Sequence, residues 1–344
     1  MIPVLVLTGF LGSGKTTLLS HLLRQRDFMR TAVIINEFGE IGLDHDLVEA
    51  SDDSFIALTT GCLCCKVRDD LVATLDDMLR RREQGRVPPF TRVVIETSGL
   101  ADPAPILHTL MTDASMASRL VLGGVVTTVD AVNGAGTLDR EAISVKQVAV
   151  ADRLVLTKSD LVVAAPDLLR RLAQLNVAAP VLNADHGRID PQRLFDIGCY
   201  DPRNKSFDVQ SWLGEKAGGH AHDAHDAGIQ TYAIVREAPI PAVALTLLLE
   251  TLAEHCGADL LRLKGIVNIV ESPDRPAVIQ GVQHVFHAPA WLPHWPSDDR
   301  RSRIVAITRG VPRGWIEALL DALAAEVAEV SGGRPMNAEA ASPG

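Results

Sequence analysis

The chain has 344 residues, of which 47% are hydrophobic and 22% charged, and a formal net charge of −10. That length fits two domains better than one and leaves ample apolar material for packed cores. The acidic balance argues against a general nucleic-acid binder, because phosphate backbones repel negative surfaces; metal cations and basic partner surfaces are not repelled.

Apolar residues 4–7 run straight into a glycine loop with no basic segment ahead of them, so no secretory signal is expected. No apolar run reaches the roughly 18–20 residues that span a bilayer. The longest, residues 240–249, stops at Glu250. A cytoplasmic protein with no membrane partner is therefore expected. Five cysteines include three within four positions, Cys62, Cys64 and Cys65. An odd, crowded set is a poor disulfide framework and points to metal or redox chemistry. Cys199 and Cys256 read as ordinary apolar residues.

In chain order, residues 4–7 form a continuous apolar run, as in a parallel strand covered on both faces. A helix follows from about residue 15 to 26, with Leu18, Leu19, Leu22 and Leu23 on one face. Strands are expected at 32–35 and 55–58. Val67, Leu71, Leu75, Met78 and Leu79 then mark a helical stripe. Further strands are expected at 92–95, 125–129, 154–156 and 181–182. This alternation predicts an α/β domain with a mostly parallel sheet over residues 1–197.

Residues 198–228 have a linker composition, with Asp201-Pro202 and Gly218-Gly219. They also hold His220, His222 and His225 beside Asp223 and Asp226, read either as a solvated linker or as a weak metal-binding tract. Residues 229–330 predict a smaller α+β domain: strand 229–235, helix 241–254, strands 265–270, 277–286 and 304–308, and helix 312–330. His284 and His287 would face opposite sides of strand 277–286. Trp291 and Trp295 could be core or partner surface. Residues 331–344 are small and polar and are expected to be a disordered tail.

Gly9-Phe10-Leu11-Gly12-Ser13-Gly14-Lys15-Thr16 follows the pattern G-x-x-x-x-G-K-[ST] between a buried strand and an amphipathic helix. Glycines let the backbone approach phosphate, successive N–H groups form an anion nest, and the helix N-terminus adds partial positive charge. Gly9, Gly12, Ser13, Gly14, Lys15, Thr16 and Thr17 are the candidate phosphate-binding residues. Lys15 would reach the β- and γ-phosphates and Thr16 would ligate Mg²⁺. The competing reading is a chance match in a glycine turn, which would not require this strand-to-helix setting.

Thr157-Lys158-Ser159-Asp160 follows strand 154–156 at the carboxyl edge of the sheet, where ligands bind. A carboxylate at Asp160 can accept from guanine N1–H and the 2-amino group, a donor pair adenine lacks. An ordinary strand-end turn is the alternative. Glu96-Thr97-Ser98-Gly99 ends strand 92–95. Glu96 suits Mg²⁺ coordination or placement of the attacking water, and Gly99 could offer an N–H to the γ-phosphate. Asn36-Glu37-Phe38-Gly39-Glu40 could be a loop ordered by triphosphate. Lys15, Glu96 and Glu37 form the candidate catalytic set; a solvated loop acid is the bland alternative for either glutamate.

Cys62, Cys64 and Cys65 lie between a strand and a helix. Three thiolates can bind Zn²⁺ and leave a fourth position for water, a carboxylate or a partner's ligand. An open position suits delivery, and the helix start lowers thiol pKa. Three reactive cysteines without metal are the alternative.

These motifs together resemble the CobW family: the loop 9–16, Asn36-Glu37-Phe38-Gly39, Cys62-Leu63-Cys64-Cys65, the run from Glu96 to Pro103, Thr157-Lys158-Ser159-Asp160 and, in the second domain, Leu263-Lys264-Gly265. The resemblance covers about residues 2–330. It implies a P-loop NTPase domain followed by a smaller α+β C-terminal domain, and a cytosolic metallochaperone coupling GTP hydrolysis to zinc or cobalt. It assigns Lys15 and Thr16 to phosphate and Mg²⁺, Cys62, Cys64 and Cys65 to the transferred Zn²⁺ or Co²⁺, and Asp160 to guanine. Thr157 stands where most GTPases have Asn. The implied partners are GTP or GDP, a divalent metal and a client metalloprotein. Two other functions stay open: a zinc store or sensor with regulatory nucleotide, and an ATP-dependent small-molecule kinase.

Overall fold

The computed structural model describes residues 1–36, 55–60, 67–162, 165–184, 186–195 and 228–332. Glu37, the cysteines at 62, 64 and 65, Cys199, the histidines at 220, 222 and 225, and the tail from 333 lie outside the described residues.

Seven strands form the first sheet: β1 (Ile2–Thr8), β2 (Thr31–Asn36), β3 (Phe55–Thr60), β4 (Arg92–Glu96), β5 (Leu120–Asp130), β6 (Arg153–Thr157) and β7 (Val181–Asn183). Their order is β3-β2-β4-β1-β5-β6-β7, with every neighbouring pair parallel. Alternate residues of the apolar strands face opposite layers. Leu5, Leu7, Val33 and Ile35 pack on Leu18, Leu19 and Leu22 of the helix Lys15–Leu23. Val4, Val6, Ala32 and Ile34 pack on Leu71, Leu75, Met78 and Leu79 of the helix Val67–Glu83 and on Leu107 of the helix Ala104–Thr112. That burial on both faces is why the strands read as unbroken apolar runs.

The second sheet is antiparallel. It contains β8 (Ile229–Arg236), β9 (Leu260–Ile269), β10 (Ser272–Val282), β11 (Val285–Phe286), β12 (Ala290–Trp291) and β13 (Ser302–Arg309), in the order β11-β10-β9-β13-β8 with β12 on β10. Helices Ala242–Cys256 and Arg313–Gly332 cover one face. The molecule is therefore an α/β P-loop fold followed by a smaller α+β unit. The expected strand 277–286 is in fact β10 and β11 joined by a turn at Gln283 and His284, where Gln283 takes φ +52°. His284 and His287 consequently do not share a strand. Trp295 belongs to a core cluster and donates its indole N–H to the Pro273 carbonyl at 2.7 Å, whereas Trp291 is exposed.

The two sheets meet through helices of the first. Val282 and Val285 join the cluster that includes Leu107, Leu110 and Met111. Ile229, Leu261 and Ile307 join Val145 and Val148 of the helix Ala142–Ala149 and Leu168 and Leu172 of the helix Pro166–Leu175. No helix among the described residues is long and apolar enough to cross a membrane.

Candidate functional site

β1 ends at Thr8 and the chain turns through a loop with positive φ at Gly9 (+141°), Gly12 (+71°) and Gly14 (+86°). Left-handed backbone of this kind favours glycine. Gly9 is doubly required: a Cβ there would overlap the Thr128 hydroxyl and carbonyl and lie 2.7 Å from Ser13 Oγ. Ser13 Oγ lies 2.6 Å from Thr128 Oγ1, and Thr157 Oγ1 donates to the Ser13 carbonyl at 2.8 Å. The loop is thereby tied to β5 and to the end of β6. Lys15 is buried; its Nζ donates to the carbonyls of Gly9 (2.9 Å) and Phe10 (3.3 Å) and so lies folded over the loop. Thr16 and the exposed Thr17 follow in the first helical turn.

Parallel pairing sets Glu96 beside Leu7, at the strand end next to the loop. Glu96 is fully buried, and its Oε1 accepts from Thr16 Oγ1 at 2.7 Å. Hydroxyl and carboxylate oxygens at this separation are the hard donors that Mg²⁺ takes. Beyond β4, Thr97 N donates to the Leu7 carbonyl at 2.9 Å and Thr97 Oγ1 to Thr8 Oγ1 at 2.8 Å. Gly99 then presses on the phosphate loop: a Cβ there would lie 2.7 Å from Leu11 N and 2.8 Å from its Cα. Gln147, on the helix Ala142–Ala149, donates from Nε2 to the carbonyls of Gly99 (3.2 Å) and Ala101 (3.1 Å). Asp102 Oδ1 accepts from Ala104 N at the start of the next helix (3.0 Å), and its Oδ2 pairs with Lys146 (3.1 Å).

At the end of β6, Thr157 is buried under the phosphate loop, close enough that a Cβ on Gly14 would touch its side chain at 3.4 Å, an ordinary contact. Lys158 takes φ +55° and its Nζ pairs with Asp130 Oδ2 at 2.6 Å. Asp130, at the end of β5, also accepts from Val132 N (2.7 Å), Asn133 N (3.1 Å) and Asn133 Nδ2 (3.1 Å). Burial alone would raise its pKa; the Lys158 bond and those from Asn133 and Val132 outweigh it and hold the carboxyl below its ordinary value. Asp160 has a 21% exposed side chain, with His186 Nδ1 3.5 Å from its Oδ2.

The structure thus gathers Gly9, Gly12, Ser13, Gly14, Lys15, Thr16, Glu96, Gly99 and Thr157 around one loop, with Lys158 and Asp160 on the adjoining strand end. Glu37 and the three clustered cysteines lie outside the described residues. Among the described residues no group of three or more His, Cys, Asp or Glu could hold a metal ion. Sequence reasoning missed Asp130 and Gln147. Asp130 is the last residue of a buried strand, a detectable signal; Gln147 shows only as a polar residue among Val145, Val148 and Ala149.

Residues 3–183 match the family described as CobW/HypB/UreG, nucleotide-binding domain, and residues 229–324 match the cobalamin synthesis protein cobW C-terminal domain. The chain belongs to the CobW family. It is 35% identical over 317 residues to the zinc chaperone YjiA of Escherichia coli (strain K12), covering 92% of this chain and 97% of that protein. It is 31% identical to the zinc chaperone CobW of a Sinorhizobium species, over 82% of this chain and 85% of the relative. The crystal structure of Zn(II)-bound YjiA GTPase from E. coli matches with a TM-score of 0.72 at 30% identity, covering 94% of this chain and 98% of the other. In this CobW-family chain, the matched nucleotide-binding region contains the phosphate loop, Glu96 and Asp160, while His186, the neighbour of Asp160, lies just beyond it.

Proposed function

We propose that this protein is a GTP-hydrolysing metallochaperone that takes up Zn²⁺ or Co²⁺ through Cys62, Cys64 and Cys65 and delivers it to a client metalloprotein. One observation carries the reading: a phosphate loop whose Thr16 hydroxyl lies 2.7 Å from buried Glu96, in a chain aligned to 97% of a relative named a zinc chaperone. The reading divides the chain into a GTPase domain (1–197), a polar linker (198–228), a C-terminal domain (229–330) and a tail.

Gly9, Gly12, Ser13 and Gly14 present N–H groups to the phosphates, with Thr17 at the helix start. Lys15 leaves the Gly9 and Phe10 carbonyls and pairs with the β- and γ-phosphates. Thr16 and Glu96 supply oxygens for Mg²⁺, which contributes charge neutralisation at the triphosphate when bound. Gly99 offers its N–H to the γ-phosphate; Glu96 and Glu37 order the attacking water and the loop around it. Thr157 braces the loop from beneath, Lys158 is held by Asp130, and Asp160 accepts the guanine N–H pair. The three thiolates leave a metal position open for the client's own ligand. Hydrolysis of GTP to GDP then changes metal affinity, and so favours release, by as much as the two nucleotide forms differ.

The test is Zn²⁺ and Co²⁺ affinity by competition with a chelating dye, with Mg·GDP and with a non-hydrolysable Mg·GTP analogue. The expected result is a nucleotide-dependent difference that disappears in Cys62→Ala/Cys64→Ala/Cys65→Ala. Equal affinity in both nucleotide states, or binding that survives the triple substitution, would overturn the coupling and favour a zinc store.

A further inference from the structure

Gln147 is fully buried, and its amide donates both hydrogens into one turn, to the Gly99 carbonyl at 3.2 Å and the Ala101 carbonyl at 3.1 Å. That turn is closed by Ala101 N on the Ser98 carbonyl at 3.0 Å, and it abuts Leu11 of the phosphate loop through Gly99. In a trans peptide the N–H points opposite the C=O. Holding the Gly99 carbonyl toward Gln147 therefore directs the Leu100 N–H away from it, where Ser98 Oγ, at 3.5 Å, is only a marginal acceptor. Gln147 is itself fixed. Its carbonyl accepts from Thr127 Oγ1 at 2.8 Å, and its neighbour Lys146 holds Asp102 at 3.1 Å. Its Oε1, also buried, meets no donor among the described residues. A clamp with one acceptor unmet favours any loop position that brings an N–H to it, so the present arrangement is not the only one it can support.

We propose that Gln147 is a positioning residue for GTP hydrolysis: its amide holds the turn from Ser98 to Ala101 against the phosphate loop and makes that turn responsive to the γ-phosphate. The proposal rests on the GTPase reading above. Because GDP lacks the γ-phosphate, the clamp acts on GTP turnover and on GTP-over-GDP discrimination, not on nucleotide affinity in general.

The experiment compares wild type, Gln147→Leu, Gln147→Glu and Thr127→Val in steady-state GTP hydrolysis and in binding of fluorescent GDP and of a non-hydrolysable GTP analogue. Leu cannot hydrogen-bond, and a glutamate carboxylate repels the two carbonyls. Thr127→Val removes a hydrogen bond to the backbone of Gln147 and leaves the clamp in place, so it reports the effect of local destabilisation alone. Both Gln147 variants should lose kcat by about tenfold or more and lose their preference for the GTP analogue, with GDP affinity unchanged within about twofold. Thr127→Val, which loosens the backbone of Gln147 but keeps its amide, should lower kcat by much less than either Gln147 variant. Unchanged kcat in the Gln147 variants would overturn the proposal while leaving the GTPase reading standing. Loss of GDP affinity in parallel with kcat, or an equal loss in Thr127→Val, would reduce Gln147 to a structural role. Absence of wild-type turnover would overturn both.

Discussion

Gly9 and Gly12 both have positive φ, yet only Gly9 faces a wall. A Cβ at Gly12 meets nothing within 4 Å, whereas at Gly9 it overlaps Thr128. Gly12→Ala should therefore cost only the left-handed backbone penalty of about 1–2 kcal/mol. Gly9→Ala adds a clash with a β5 carbonyl that cannot move, and should cost about 3 kcal/mol or more. Urea unfolding of the two variants checks the order, and equal losses would contradict it. A second residue-scale consequence concerns His287. Burial, and then the nearby Arg262 charge, lower its pKa from 6.5 to about 4. The unfolded chain binds this proton near pH 6.5 while the folded chain resists until about 4. The stabilisation is thus complete above pH 6.5 and is lost as pH falls through 4. The stability of wild type relative to His287→Gln should fall between pH 6.5 and 4 and stay flat from 7 to 8, measured by thermal melts across that range. The phosphate loop was legible because its glycines and lysine are contiguous and each has a local reason. Gln147 was not, because its partners lie 46 and 48 residues away and no spacing rule announces them.

At the level of elements, the strands that departed from expectation did so at identifiable backbone events. Residues 125–129 were expected as a strand, but β5 begins at Leu120 and continues through Gly123-Gly124. Opposite β1 the register slips between Val4 and Leu5, and Gly124 takes φ +144°. A glycine pair reads as a stop in sequence, yet here it forms a bulge that lets the strand reach Asp130. The converse happens between β10 and β11, where apolar alternation runs on but the chain reverses at Gln283-His284. Only the first of these two turn residues has positive φ, a position at which two-residue hairpins prefer glycine. Gln283→Gly should stabilise the protein by about 0.5–1 kcal/mol, since relief of the left-handed penalty exceeds the added chain entropy. Gln283→Val should destabilise it, because β-branching worsens that conformation. The paired thermal midpoints decide the matter: if Gly lowers the midpoint as Val does, the turn is held by its side chain and not by its backbone.

Across the whole molecule the two sheets share one buried charge centre. Asp152, just before β6, pairs with Arg262 Nη2 at 3.0 Å and with Lys264, both on β9, and it accepts from Val125 N at 2.8 Å. All three side chains are at most 4% exposed. Burial alone would raise the Asp152 pKa, but Arg262 and Lys264 hold it well below the carboxylate range. Burial likewise pushes the Lys264 ammonium down to about 8 against the pull of Asp152. Two cations thus face one anion, and Arg262 Nε and Nη1 already meet no acceptor among the described residues. In such a centre desolvation and attraction nearly cancel while all members are present, and removing the shared partner is severe. Asp152→Asn should cost about 3–5 kcal/mol, insensitive to salt because the pair is buried. Adding Lys264→Met should recover part of that loss, since one buried charge leaves with it, so the double substitution should be less destabilising than the sum of the singles. Asp152→Leu/Arg262→Met/Lys264→Met should come close to wild-type stability if apolar packing can replace the centre. A triple variant as unstable as Asp152→Asn would mean instead that the charges fix how β9 docks on the first sheet, and its GTPase activity would then separate a mispositioned second sheet from a damaged nucleotide site.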